Sequence, residues 1–138
     1  MAGWLRRLLG RSDQVSLDPG RADLVVVVAS FDDAEACSTA LDRATALNRD
    51  APAVLRHHLR IPAERVGQVC AIAAQEGYAA AETPSDAGDG LKRLLLQRVQ
   101  LLDALHCAQE RSRMAGLAQR NDGVADGWDA LQPGPAAD

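Results

Sequence analysis

Aromatic side chains are nearly absent from this chain: Trp4, Phe31, Tyr78 and Trp128 are the whole complement, 3% of 138 residues. A core must therefore be filled by Leu, Val, Ala and Ile, and a sheet face that stacks RNA bases, which needs aromatic platforms, is not expected. Cysteine is scarce too. Cys37, Cys70 and Cys107 are far apart, odd in number and form no CxxC pair. That excludes a disulfide framework and a zinc knuckle, and reads as free thiols in a reducing compartment. No apolar run is long enough for secretion or for spanning a membrane, so the protein is expected in the cytoplasm without stable membrane association. Gly88-Asp89-Gly90 is too short to cradle phosphate, and neither a Ser-His-Asp order nor a metal-ligand set is present. The expectation is a protein that is not an enzyme and carries no cofactor.

What the chain has is an ordinary soluble balance, 47% hydrophobic and 25% charged, at a length that suits one domain. Its net charge of −4 is unevenly spread. Residues 1–21 hold four Arg against Asp13 and Asp18, whereas residues 121–138 hold four Asp and no base. An acidic chain is a poor general binder of nucleic acid, and no direct contact with nucleic acid is expected. The opening MAGWLRRLLGR sets Arg6, Arg7 and Arg11 among Trp4, Leu5, Leu8 and Leu9. As a helix it would be short, basic and amphipathic, a weak membrane anchor by itself. Residues 1–21 are read as a basic tail and linker, 22–131 as a single domain, and 132–138 as a disordered tail.

Along the domain, LVVVVASF (24–31) is a continuous β-branched run, the pattern of a strand buried on both faces. Asp32 with Glu35 resembles a capping box for a helix carrying Cys37, Ala40, Leu41, Ala44 and Leu47, which Asn48 stops. A strand over 54–61 follows. Pro62 then opens a helix with Val66, Val69, Cys70 and Ala73 on one stripe, closed by Gly77 in the left-handed conformation. Tyr78 to Glu82 reads as a short edge strand and TPSDAGDG (83–90) as a turn. Residues 91–117 read either as one long helix or as a strand over 91–101 and a helix over 103–120 capped by Asp103; periodicity leaves both open. VADGWDAL (124–131) reads as a last strand, with Gly127 marking a bulge or a close backbone approach.

The stretch VLRHHLRI (54–61) poses the functional question. Neighbouring side chains on a strand point to opposite faces, so Leu55, His57, Leu59 and Ile61 share one face and Val54, Arg56, His58 and Arg60 the other. His57 is then offered to a core, where one hydrogen bond would satisfy it, and His58 to solvent. Adjacent histidines diverging in this way are poor ligands for one zinc ion, whose ligands converge at about 2.0–2.3 Å. A metal-assisted hydrolase on His57, His58 and His106 is the least favoured reading. The face with Arg56, His58 and Arg60 is the candidate contact surface, which Arg93 or Arg98 would extend. Trp128 is expected to anchor the core with its indole N–H hydrogen-bonded.

The ordered series of His57-His58-Leu59, a helix ending in Gly77-Tyr78, and a final helix leading into Asp126-Gly127-Trp128 resembles the family of regulator of ribonuclease E activity B over residues 53–131. The resemblance implies a ferredoxin-like βαββαβ sandwich, here an α+β fold preceded by an extra strand and helix, and it favours the strand over 91–101. It also implies a non-catalytic regulator that binds, and inhibits, an endoribonuclease of the ribonuclease E type. Three departures stand against the family pattern: Ala125 where a tyrosine is usual, the added strand and helix in front, and an acidic tail reduced to a few aspartates. The alternative is a homodimer of ferredoxin-like domains that holds a small ligand between its subunits.

Overall fold

The computed structural model describes residues 16–135; the basic segment with Trp4, Arg6, Arg7 and Arg11 lies outside them. The elements are β1 (Leu24–Ser30), α1 (Cys37–Arg43), β2 (Ala53–Pro62), a short 3-10 turn (Ala63–Arg65), α2 (Val66–Ala74), β3 (Ala79–Ala80), β4 (Ser85–Asp86), β5 (Leu91–Gln100), α3 (Ala104–Arg120) and β6 (Val124–Pro133). The strands form one antiparallel sheet in the order β1-β6-β2-β5-β3, with β4 also on β5. Within it, β6-β2-β5-β3 and the two helices α2 and α3 make the ferredoxin-like βαββαβ unit, to which β1 and α1 are the addition in front.

Residues 91–100 are therefore strand, and the long-helix alternative is excluded: β5 pairs with β2 along its whole length, from Ala53 opposite Gln100 to Pro62 opposite Leu91. The helix that follows starts where its cap predicts. Asp103 Oδ1 accepts the His106 backbone N–H at 2.8 Å. Gly77 at φ +84° ends the turn after α2, and the Tyr78 N–H returns to the Ala73 carbonyl at 3.1 Å.

Four expectations are corrected. β1 is an edge strand: Val25 and Val26 are 45% and 51% exposed, and only Val27, Val28 and Ser30 are buried. An uninterrupted β-branched run fits an edge as well as a centre, because pairing lies outside the run itself. The capping box does not form. Asp32 Oδ1 instead accepts the Ala34 N–H at 2.9 Å, Glu35 is taken by Arg43 at 2.7 and 2.8 Å, and α1 starts later, behind Ala36. It also stops at Arg43, although Ala44 and Leu47 still pack on the core beyond it. Finally, β6 runs to Pro133 rather than 131. Gln132 is buried, its amide joined to the Asn48 backbone by bonds of 3.0 and 2.8 Å.

The helices cover one face of the sheet. Beneath them lie two apolar clusters, one around Leu41, Leu55, Cys107 and Trp128, the other around Leu59, Ile61, Val69, Leu94, Met114 and Leu117. Burial of these aliphatic groups drives the fold, each large side chain contributing about 1.5–3 kcal/mol of transfer free energy.

Candidate functional site

The alternation of β2 is as predicted from Leu55 to Ile61, whereas Val54, expected on the outward face, is fully buried. Leu55, His57, Leu59 and Ile61 are all 2% exposed or less beneath the helices, while Arg56, His58 and Arg60 stand on the opposite face. That face is not simply basic, because β6 brings acids to it. Asp129 lies opposite Arg56 and receives a two-pronged guanidinium, Nε to Oδ1 at 2.7 Å and Nη2 to Oδ2 at 2.6 Å. His58 Nε2 reaches the same Oδ2 at 3.0 Å. Burial pushes the Asp129 carboxyl pKa up, but the hydrogen bonds from His58 and Arg56 outweigh it and hold the group below its ordinary value. Arg56 is raised in turn, chiefly by its bond to Asp129.

A bulge supplies the second pair. Gly127 opposes His58 and Ala125 opposes Leu59, which leaves Asp126 as the extra residue. Its carboxylate takes Arg60 Nε and Nη2, both at 2.8 Å, while Arg60 Nη1 donates to Asp89 Oδ2 at 2.6 Å. Gly127 answers both halves of its expectation. It sits at the bulge, and a Cβ there would come 2.6 Å from the Ser30 carbonyl oxygen and also strike Phe31. The Phe31 ring, 56% exposed, meets His58 edge-on at 5.0 Å. Arg93, opposite Arg60 on β5, is exposed and makes no ion pair among the described residues.

The other face of the same strands carries a polar seam between the two apolar clusters. Tyr78 Oη donates to Glu110 Oε1 at 2.7 Å and meets His57 Nε2 at 3.4 Å. Burial drives the His57 pKa down to about 3, so its ring is neutral; since the tyrosyl proton is given to Glu110, the imidazole proton is assigned to Nε2. Arg98 belongs here and not to the contact face. It lies opposite Leu55, places its guanidinium 4.5 Å above the Tyr78 ring, and pairs with Glu110 at 3.1 Å. Parity from Leu91 alone could not reveal this; the register with β2 decides it. Trp128 is His57's cross-strand partner and is buried in the core as expected, but its indole N–H has no hydrogen-bond partner among the described residues, contrary to expectation.

Sequence reasoning missed Asp129 and Glu110. The first was within reach, since an inward Trp128 on a strand turns Asp129 outward, beside Arg56. The second is the one acid in the α3 stripe Cys107, Glu110, Met114, Leu117.

His57 and His58 face opposite ways and His106 is tied to Asp103 at 2.6 Å, so the three histidines do not converge. Among the described residues no group of three or more His, Cys, Asp or Glu could hold a metal ion, and no helix is long and apolar enough to cross a membrane. Comparison with protein-family models and with curated proteins returns no significant match, so the family resemblance rests on the residues that carry it.

Proposed function

We propose that this chain is a non-catalytic, cytoplasmic regulatory protein that docks a protein partner on the uncovered face of its sheet and inhibits it. The partner class is the one the resemblance implies, an endoribonuclease of the ribonuclease E type. The observation that supports a docking face is that no described helix covers it. It carries a fixed ion-pair lattice, Arg56-Asp129-His58 and Arg60-Asp126-Asp89, beside the exposed apolar groups Phe31 and Val124. Preorganised charges flanked by apolar surface favour orientation and specificity in a protein contact.

A second reading, the homodimer with a ligand between its subunits, draws support from β1. Its exposed Val25 and Val26 lie on an edge strand, a template for pairing with another chain.

Phe31→Ser with Arg93→Glu tests the first reading, because both side chains are exposed and lie outside the ion-pair lattice. Surface changes of this kind usually alter stability by no more than about 0.5 kcal/mol, which circular dichroism would verify. Capture of a purified endoribonuclease of this type, and its inhibition, should be lost. Undiminished capture would refute the face. No capture by the wild-type chain, together with twice the monomer mass in light scattering, would favour the dimer.

A further inference from the structure

The sheet has one broken edge and one continuous edge. On the broken side β3 and β4 are two residues each and sit apart on β5. On the other side β1 runs for seven residues and, among the described residues, has a neighbouring strand, β6, on one side only. An open edge is a row of backbone donors and acceptors that another strand can take, and proteins usually blunt it with Lys, Pro or a bulge. β1 is blunted over its second half alone. Val27 is a bulge residue, left over between Val26 opposite Leu131 and Val28 opposite Ala130, and Arg43 Nη2 donates to the Ala29 carbonyl at 2.5 Å. Leu24-Val25-Val26 has neither device, no charge and no proline, and both of its valines are exposed.

Which backbone groups face the open side follows from one bond. In an antiparallel pair the N–H and C=O of a residue point the same way, and successive residues alternate. The Gly134 N–H donates to the Asp23 carbonyl at 2.8 Å, so Asp23 is turned toward β6. Leu24 then faces the open side, Val25 faces β6, and Val26 faces the open side again. The Ala29 carbonyl, free to take Arg43, keeps this alternation once Val27 is counted as the extra residue.

That pattern matches itself. With a second copy laid antiparallel so that Val25 stands opposite Val25 of that copy, Leu24 and Val26 each exchange both backbone bonds with Val26 and Leu24 of the other, on either side of a two-fold axis. A shift toward the N-terminus would bring in the turn at Ala22 and Asp23, and a shift the other way would meet the bulge at Val27. The apposed side chains are Val25 on Val25 and Val26 on Leu24, all aliphatic, so no like charges oppose the contact. The nearest charges, Arg21 and Asp23, already neutralise each other at 2.6 Å.

We propose that β1 pairs with β1 of a second copy through Leu24–Val26, joining the two sheets into one across a two-fold axis at Val25. This takes up the edge on which the dimer reading rests but needs no ligand. Because it extends the sheet in its own plane, it leaves the outer face of both copies open to a partner. The contact is short against the roughly 20–30 residues a side of a stable interface, so association is weak, with a Kd of about 0.1 mM.

Sedimentation equilibrium of the full-length chain without added ligand, from about 10 µM to about 1 mM, should give a mass rising toward that of two copies. Val25→Cys locates the axis. A non-hydrogen-bonded antiparallel pair sets its Cα atoms about 4.5 Å apart, within disulfide reach, whereas position 26 of one copy and position 26 of the other would stand more than about 7 Å apart, beyond it. Oxidation by diamide should therefore link Val25→Cys into a dimer on a non-reducing gel. Val26→Cys should give no more than the wild-type chain, whose Cys70 is partly exposed and serves as the blank. Val25→Lys, which sets two like charges against each other at an exposed position, should stay folded by circular dichroism and sediment as one copy throughout. A wild-type mass of one copy up to about 1 mM, cross-linking of Val26→Cys equal to that of Val25→Cys, or a folded Val25→Lys chain that still dimerises would each overturn the pairing. In the last case the dimer reading survives on another surface. Capture of an endoribonuclease does not involve β1, so the docking face stands or falls separately.

Discussion

His57 makes the stability of this protein depend on pH in a window of its own. Burial lowers its pKa from the ordinary 6.5 to about 3, so between those values the unfolded chain binds a proton that the folded chain refuses. Stability contributed by this group is therefore complete above about pH 6.5 and is lost as pH falls toward 3. One pKa unit is about 1.36 kcal/mol, so lowering the pH from 7 to 4.5 should remove about 2.5 kcal/mol through His57 alone. Asp129, whose pKa is also depressed, acts in the same direction but only nearer pH 4, where the unfolded carboxyl begins to protonate. Urea unfolding followed by circular dichroism at half-unit steps from pH 7 to 4.5 isolates the histidine. His57→Leu, close in volume and unable to titrate, serves as the reference. The two stability curves should converge as pH falls, the wild type losing about 2.5 kcal/mol more than the variant. Parallel curves, or a His57 that titrates above pH 5 by NMR, would refute the buried neutral imidazole and with it the assignment of its proton to Nε2.

Trp128→Ala should cost about 3–5 kcal/mol, because it empties a site 2% exposed in a cluster otherwise made of small aliphatic groups; thermal melting would detect it, and an unshifted melt would sink the packing role. Arg56→Glu should lower stability by about 2–4 kcal/mol, measured by urea titration, since it sets a carboxylate against the buried Asp129 and leaves that acid short of its two-pronged donor. An Arg56→Glu protein as stable as the wild type would mean that the pair is as dispensable as an exposed one.

The order of strands and helices was legible where local chemistry marks it. Asp103 announced the start of α3, Gly77 the exit of α2, and period two in VLRHHLRI divided the histidines between faces. What stayed hidden depends on partners distant in sequence. Periodicity leaves the long-helix and strand readings of 91–100 both open; the family resemblance favours the strand, and pairing with β2 along its whole length decides it. Val25 and Val26 carry no mark of being at an edge. The basic face looked free because its neutralising acids, Asp89, Asp126 and Asp129, come from 29 to 73 residues away. An orphan indole N–H is equally invisible, since nothing in Asp-Gly-Trp says what α3 will place beside it.

The segment Asp126-Gly127-Trp128-Asp129 does more than supply two acids: it fixes how β6 sits on β2. A slip of one residue in a strand turns every side chain to the other face. Here such a slip would bring Asp129 under the helices and Trp128 into water, and would strand Arg56 without its acid, so both faces oppose it at once. The bulge at Asp126 acts in the same sense. It takes up one extra residue just where Gly127 lets the Ser30 carbonyl and the Phe31 ring approach, and a side chain at that position would clash with both. Register thus rests on an inward aromatic, an outward acid and a glycine in three consecutive positions. Packing and charge therefore cannot be varied independently along this strand: changes at Arg56 or Asp129 act on the fold first, and a partner-contact phenotype at either residue is interpretable only beside a stability measurement. Phe31 and Arg93 on the same face carry no such burden.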